Sequence, residues 1–204
     1  MIKPFSEACD RNRGPILAVI EPLLFDRHGV LEIGSGTGQH AVAFAARLRH
    51  LIWYTSDREE NLAGIKLWID EAGLTNTRDP VVLDVAQRPW PDVDVDAVFS
   101  ANTAHIMHWP EVEAMFRGVG ETLPDGGLFL LYGPFNYNGR YTSDSNARFD
   151  AWLKQRDGAS GIRDFTALSD LASRAQLVPK CDVEMPANNR LLCWEKRAAS
   201  LKMG

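Results

Sequence analysis

Short apolar runs alternate with longer amphipathic stretches along most of the chain. The apolar runs have the length and composition of strands, whereas the longer stretches repeat their apolar positions with the period of a helix. The predicted strands are Val30–Ile33, Leu51–Ser56, Pro80–Leu83, Ala97–Ala101, Leu128–Tyr132, Leu177–Glu184 and Arg190–Lys196. The predicted helices are Gln39–Leu48, Glu59–Ala72, Pro110–Thr122, Ala167–Ala175 and a first helix from about Ser6 to Leu24, in two pieces divided at Pro15.

The stretch 59–72 illustrates the helical pattern. Its residues Leu62, Ile65, Trp68 and Ile69 fall on one face of a helix, and Gly73 follows as a stop signal. Such a stripe packs on a sheet.

Strands that alternate with helices predict a parallel sheet with helices on both faces. The last two strands are joined only by Met185–Asn189, a connection short enough to require an antiparallel pair. The fold class is therefore α/β and Rossmann-like, a seven-stranded mostly parallel sheet with an antiparallel strand 7. We expect one domain, with an N-terminal helical cap (1–28), a ligand-binding core (29–133) and a substrate-side loop with a C-terminal hairpin (134–204).

The composition limits the classes of partner that the protein is expected to bind. The 204 residues are 45% hydrophobic and 24% charged, and the formal net charge is −5. Without a block of Lys or Arg, a nucleic-acid substrate is not expected. The chain has no apolar run of membrane-spanning length and no signal-peptide pattern, which favours a cytoplasmic protein. Cys181 and Cys193 face each other across the expected hairpin, where reduced thiols are favoured over a disulfide.

A glycine-rich turn follows the first strand. Leu31-Glu32-Ile33 leads into Gly34-Ser35-Gly36-Thr37-Gly38, and a helix follows. Such a turn opens the ligand crevice of a doubly wound sheet, because glycine lets the backbone turn sharply and lets a ligand approach closely. A dinucleotide fingerprint needs its third glycine one residue later, where Gln39 stands.

The ends of the next strands supply polar side chains. Asp57 follows the second strand and is placed to accept the two hydroxyls of a ribose, although it also reads as a helix cap. Asp84 is placed to accept from an adenine amine beside the apolar Val85, although a turn aspartate is equally common. Glu32 faces a bound ammonium or caps the turn, and Asn102 ends the fourth strand.

These strand ends suit hydroxyls, an amine and a cationic amino-acid end, and they lack an Arg or Lys cluster for phosphates. The set therefore favours S-adenosylmethionine over a nicotinamide cofactor. Glu32, Gly34, Gly36, Gly38, Asp57, Asp84, Val85 and Asn102 form the expected cofactor site. No metal site is expected, since the cysteines lack ligand spacing.

The acceptor side falls beyond the fourth and fifth strands. His105 is the best candidate for a general base, although a histidine held structurally in the loop is at least as common. Tyr132, Phe135 and Asn188 are expected to line the acceptor site, with Tyr132 alternatively a core residue. Arg163 and Asp164 either form an ion pair that fixes a loop or contact the substrate.

The run Glu32–His40 resembles motif I of class I S-adenosylmethionine-dependent methyltransferases. A wider resemblance, to a family catalogued as a domain of unknown function whose animal members are called methyltransferase-like protein twenty-six, covers nearly the whole chain. Its matching stretches are Pro4–Ala8, Asn12–Ile16, 31–44, Asn102 with His105-Ile106 and Trp109, Tyr132–Phe135, Thr142–Asn146, Gly161–Asp164 and Met185–Asn189. The resemblance implies the class I fold and binding of the methyl donor, and it implies no particular acceptor.

The chain is accordingly interpreted as an S-adenosylmethionine-dependent methyltransferase for a small-molecule or protein acceptor. Two alternatives stay open: a non-catalytic protein that binds S-adenosylmethionine and acts through a partner, and, less favoured, a nicotinamide-dependent oxidoreductase. The sequence gives no oligomeric state.

Overall fold

The computed structural model describes residues 2–197. Its helices are α1 (Glu7–Leu23), α2 (Gln39–Arg47), α3 (Glu59–Ala72), α4 (Trp109–Thr122), α5 (Asp144–Arg156) and α6 (Phe165–Arg174), with a 3-10 turn at Pro186–Asn188. Its strands are β1 (Gly29–Ile33), β2 (Ile52–Asp57), β3 (Thr77–Val82), β4 (Ala97–Ala101), β5 (Leu128–Gly133), β6 (Phe135–Asn136), β7 (Arg163–Asp164), β8 (Leu177–Met185) and β9 (Asn189–Lys196).

Seven strands form the main sheet in the order β3-β2-β1-β4-β5-β9-β8, and β6 pairs with β7 in a separate two-stranded sheet. Strands β1 to β5 are parallel, whereas β9 runs antiparallel to both β5 and β8. The predicted mostly parallel sheet with one antiparallel strand is confirmed. The order reverses between β1 and β4, so the crevice of this doubly wound sheet opens where those two strands end.

Each face of the sheet buries one hydrophobic cluster. Val30, Trp53 and Phe99 pack with Ile16 and Ile20 of α1 on one face. Leu31, Val98 and Phe129 of the same sheet pack with α4 and α6 on the other. Successive side chains of a strand point to opposite faces, so each strand serves both clusters. This alternation decides which side chains reach the crevice.

Three details differ from the sequence expectation. α1 is one helix through Pro15, because Ile16, Ile20 and the following Leu24 are fully buried and hold it on the sheet. β3 begins at Thr77 and not at Pro80, because pairing with β2 starts at the Trp53–Thr77 pair. The stretch 144–156, for which no helix was predicted, forms α5 with Ser143 as its cap.

The C-terminal hairpin pairs Cys181 with Cys193, and both thiols are free. The pairing agrees with the expectation that the two cysteines face each other across the hairpin. Among residues 2–197, no helix is both long and apolar enough to cross a lipid bilayer.

Candidate active site

The turn between β1 and α2 depends on its glycines. Gly34, Gly36 and Gly38 have φ angles of +70°, +58° and +88°, a left-handed conformation that other residues rarely adopt. A Cβ atom at Gly34 would lie 2.6 Å from Cγ2 of Thr103, and one at Gly38 would lie 3.2 Å from the Ile65 backbone. A Cβ at Gly36 would meet no protein atom within 4 Å. Gly34 and Gly38 therefore permit close packing, whereas Gly36 borders open space.

That open space consists of two adjoining cavities at the ends of the parallel strands. The smaller cavity has a volume of about 340 Å³, and the larger cavity has a volume of about 840 Å³. Residues of the glycine turn and of the end of β4 line both of them: Gly34, Gly36, Ala101 and Asn102. The two cavities thus meet where the sheet order reverses.

Asp57, the last residue of β2, forms the polar wall of the smaller cavity. Its Oδ2 atom accepts a hydrogen bond of 2.7 Å from the Gly36 amide. Its Oδ1 atom accepts from the Arg58 amide and from Nδ2 of Asn61, both at 2.8 Å. The carboxylate therefore fixes the glycine turn and still borders the cavity.

Leu83 and Val85 line the smaller cavity with apolar surface, but Asp84 between them lies outside its lining. The Oδ1 atom of Asp84 accepts a hydrogen bond of 2.9 Å from the Ala86 amide, which is the turn role considered above. β3 ends at Val82, and beyond it Leu83 and Val85 are buried, whereas Asp84 is half-buried. Asp84 therefore lies in a turn outside the cavity lining, and this position does not support the expected contact with a ligand.

Glu32 also lies outside the lining of both cavities, since Ile33 and Gly34 take that position. It is 1% exposed, and its Oε2 atom accepts a hydrogen bond of 3.0 Å from Nε1 of Trp53. Burial raises the pKa of the Glu32 carboxyl to about 7, although the bond from Trp53 opposes the rise. The side chain is a buried support for β1 and β2.

His105 lines the larger cavity and is 7% exposed. Its ring lies edge-on to Phe149, with centroids 5.3 Å apart. Burial, assisted by the nearby positive charge of Arg163, lowers the pKa of His105 to about 4. The imidazole is therefore neutral at physiological pH and has a lone pair available.

Strand alternation also separates the expected acceptor-side residues at the end of β5. Tyr132 and Pro134 line the larger cavity, whereas Phe135 is 1% exposed and packs in the cluster with α4 and α6. Phe135 is three positions from Tyr132, so it points to the opposite face and does not reach the cavity. Burial raises the pKa of the Tyr132 hydroxyl, and the facing amides of Asn12 and Asn189 oppose that rise.

Asn188 lines the larger cavity from the turn between β8 and β9. Its Nδ2 atom donates to Oγ of Ser145 at 3.0 Å, and its carbonyl oxygen accepts from Nδ2 of Asn146 at 3.0 Å. These bonds join the turn to the start of α5.

The N-terminal segment closes one side of the larger cavity, with Ser6, Cys9, Arg11 and Asn12 in its lining. Gln39 anchors this segment: its Oε1 atom accepts from the Ser6 amide at 2.6 Å, and its Nε2 atom donates to the Ser6 carbonyl at 3.3 Å. Gln39, which stands where a dinucleotide fingerprint has its third glycine, therefore attaches the N-terminal segment to the glycine turn.

His40 is a cavity residue that the sequence did not predict. It lines the larger cavity, and its Nε2 atom donates to Oδ1 of Asn12 at 2.7 Å. Burial lowers the pKa of His40 to about 4. Its neighbours come from distant parts of the chain, and the only local signal was its position one residue after Gln39.

Arg163 and Asp164 do not pair with each other. The Arg163 guanidinium donates to the carbonyl oxygens of Ala104, at 2.9 Å, and Met107. Asp164 instead accepts from the amides of Gly139 and Thr166, at 2.7 and 2.9 Å. Each fixes a separate loop, so the predicted ion pair is replaced by two contacts with the backbone.

The fold is that of class I methyltransferases. An O-methyltransferase family protein from Burkholderia thailandensis superposes with a TM-score of 0.82 at 14% identity, over 95% of this chain and 58% of that one. The S-adenosylmethionine-dependent methyltransferase SibL, in its apo form, gives 0.79 at 21% identity, over 94% and 56%. Human N-acetylserotonin methyltransferase, in complex with SAM, gives 0.78 at 17% identity, over 94% and 53%.

Residues 3–196 match the family described as "Protein of unknown function (DUF938)", and the chain belongs to that family. It spans a little over half the length of the solved methyltransferases to which it is similar.

Proposed function

We propose that this protein binds S-adenosylmethionine across the two cavities and transfers its methyl group to an acceptor held in the larger cavity. The observation that carries the proposal is the position of the Asp57 carboxylate. It borders the smaller cavity, and its Oδ2 atom accepts a hydrogen bond of 2.7 Å from the Gly36 amide. A carboxylate at the end of the second strand suits the hydroxyls of a ribose. The fold shared with solved S-adenosylmethionine-dependent methyltransferases supports the same assignment.

The residues present fit this cofactor. Ile33, Leu83 and Val85 supply apolar surface for an adenine ring beside Asp57. Gly36 leaves the space between the cavities open, because a side chain there would project into it. Asn102 borders both cavities and has a φ angle of +61°, which asparagine tolerates better than most residues.

The cofactor, when bound, supplies an activated methyl group on a sulfonium. The protein then has to orient the acceptor and exclude water. We assign proton acceptance to His105, whose imidazole is neutral and borders the larger cavity. This assignment applies where the acceptor must lose a proton as the new bond forms.

The acceptor is a small molecule or a side chain of another protein. O-methyltransferases recur among the similar structures, one of them in complex with apigenin, which supports methyl transfer as the activity. We also propose that the chain is related to methyltransferase-like protein twenty-six, because the sequence stretches that resemble that family extend from Pro4–Ala8 to Met185–Asn189.

Calorimetric titration with S-adenosylmethionine and S-adenosylhomocysteine tests the proposal. Both nucleosides should bind, and Asp57→Ala should weaken binding by about 30-fold, since a charge-assisted hydrogen bond contributes roughly 2 kcal/mol. Asp84→Ala is the matched control, because this carboxylate lies two residues beyond the end of β3 and bonds to the Ala86 amide outside the cavity lining. It should change the affinity less than about threefold.

Asp57→Asn keeps the size of the side chain. Comparing it with Asp57→Ala separates loss of the charged contact with the cofactor from disruption of the glycine turn. Absence of binding by either nucleoside at millimolar concentration contradicts the proposal. Binding without S-adenosylhomocysteine production from any metabolite extract favours a non-catalytic binding protein.

A further inference from the structure

The two cavities differ in the charges that line them. The smaller cavity is lined by three carboxylates, those of Asp57, Glu60 and Glu111, and by Arg58. Among the described residues that line the larger cavity, none is Asp or Glu, and Arg11 is the one residue with a permanent charge. Carboxylates are therefore concentrated on one side of the glycine turn.

Positive charge also lies behind the wall of the larger cavity. Arg13 and Arg163 help to lower the pKa values of His40 and His105, which places both guanidinium groups within electrostatic range of those rings. Arg163 is held by backbone carbonyl oxygens. The Asp150 carboxylate that faces it already accepts from Tyr141 and Lys154.

The carboxylates nearest to this wall compensate its positive charge only in part. Asp10 pairs with Arg13 at 2.8 Å, and about half of each side chain is exposed. Glu32 is buried against Trp53, and with its raised pKa it is partly protonated near neutral pH. Glu7 pairs with Arg11 at 3.1 Å, but both side chains are more than 70% exposed. An exposed pair of this kind contributes little, so Arg11 can exchange it for a ligand.

The remaining polar groups of the larger cavity are uncharged. They include the side chains of Asn12, Asn146, Asn188, Asn189 and Tyr132. Amides and a hydroxyl can pair with carbonyl, hydroxyl or carboxylate oxygens, and the Phe149 ring offers an apolar surface. A buried ammonium group, in contrast, loses its hydration and costs several kcal/mol unless a carboxylate pairs with it. The amino-acid end of S-adenosylmethionine brings its own carboxylate beside its ammonium group, whereas a simple amine brings none.

We propose, building on the proposed function, that the larger cavity selects its acceptor by charge. It takes a small molecule with an apolar or aromatic body and an uncharged or anionic polar end, and it rejects amines and other cations. The cavity volume of about 840 Å³ lies within the range of small-molecule sites, roughly 300–1,000 Å³.

Three probes that share a phenol ring test this selection: 4-hydroxyphenylacetate, tyrosol and tyramine, which end in a carboxylate, a hydroxyl and an ammonium group. Their affinities are measured by ligand-observed NMR on protein saturated with S-adenosylhomocysteine. Tyrosol and 4-hydroxyphenylacetate should bind, and tyramine should bind at least about tenfold more weakly, which corresponds to about 1.4 kcal/mol. Tyramine binding as tight as that of tyrosol overturns the proposal, and so does the failure of all three probes to bind.

A charge variant sharpens the test. Asn188→Asp puts a carboxylate in the larger cavity and should shift the preference toward tyramine about fivefold, a modest change because the site is partly solvated. Asn138→Asp is the matched control, since both asparagines are exposed and have similar φ angles, +57° and +52°. Asn138 lies outside the cavity lining, and its variant should leave the preference unchanged; an equal shift in both variants overturns the proposal.

The two proposals fail in different ways. If S-adenosylhomocysteine does not bind in the preceding calorimetric titration, the proposed function fails. If it binds and the probes are not separated by charge, the charge selection fails alone.

Discussion

The two cavities meet at Gly34, Gly36, Ala101 and Asn102, yet the chain builds them in different ways. The smaller cavity is formed by strand ends and the helix starts next to them, such as Asp57 with Arg58. The larger cavity brings together residues from α1, the end of β5, α5 and the turn at Pro186–Asn188. The first is a local product of the sheet, and the second depends on long-range packing.

This difference suits a division of labour. A wall built from strand ends is rigid and presents fixed polar groups, which suits a constant cofactor. A wall assembled from a terminal helix and loops can differ between proteins without disturbing the sheet. The charges follow the same division, with carboxylates beside the smaller cavity and uncharged amides beside the larger one.

The largest effect we expect comes from Gly36, which lies at the junction. In Gly36→Ala the added methyl group projects into the space shared by the cavities, so nucleoside binding should fall by about 100-fold. The positive φ angle of +58° adds a stability cost of about 1 kcal/mol. Calorimetry measures the first quantity, and urea denaturation measures the second.

Gly73→Ala is a close control for this substitution. Gly73 also has a φ angle of +58°, and a Cβ atom added there would meet no heavy atom within 4 Å, but this glycine caps α3 away from both cavities. The two variants should lose similar stability, and only Gly36→Ala should lose binding. Equal binding by both would remove Gly36 from the cofactor site.

A substitution of Glu32 tests whether this buried carboxyl only supports β1 and β2 or also binds the cofactor. Its pKa is raised to about 7, so the folded state holds a proton that the unfolded chain releases near pH 4.5. This carboxyl therefore lowers stability progressively as pH rises from about 4.5 to 7. Glu32→Gln removes that penalty, and its stability relative to the wild type should increase over this window, by about 3 kcal/mol at pH 7.

Urea denaturation at pH 5, 6, 7 and 8 measures the difference, and taking it between variant and wild type cancels the opposite contributions of His40 and His105. Nucleoside affinity should change less than about threefold in Glu32→Gln. A much larger loss of affinity would make Glu32 part of the cofactor site after all.

The sequence was sufficient for the architecture and for most of the smaller cavity. The strand–turn–helix pattern at 31–48 is contiguous, and Asp57 is placed by the end of a single strand. The direction of individual side chains could not be predicted from the sequence. Glu32, Asp84 and Phe135 each lie within three positions of a residue that lines a cavity. One position along an extended segment reverses the side chain, and strand boundaries read from sequence are uncertain by more than that.

The larger cavity was predicted only in part, because its residues are far apart in the chain. His40, Asn12 and Phe149 carry no shared local pattern, and they meet only after α1 and α5 pack against the strand ends. Gln39 was noted as a departure from the dinucleotide fingerprint, and its bonds to Ser6 explain why it stands there.

A smaller effect than those of Gly36 and Glu32 is expected from His105, and it separates the cavities by function. His105→Asn should lower kcat by about tenfold, which is below the usual contribution of general base catalysis, roughly 100- to 10,000-fold, because a base with a pKa of about 4 is weak. Nucleoside affinity should stay within about threefold, since His105 borders only the larger cavity. His28→Asn, at an exposed histidine outside both linings, should change neither quantity. Because neutral imidazole is the active form, wild-type activity that depends on it should be constant above pH 6 and decline only as pH falls toward 4. A pH profile of activity with a midpoint near 6.5 that disappears in His105→Asn would contradict this prediction. It would show that the His105 imidazole titrates as an exposed one and that the larger cavity is more solvated than its lining indicates.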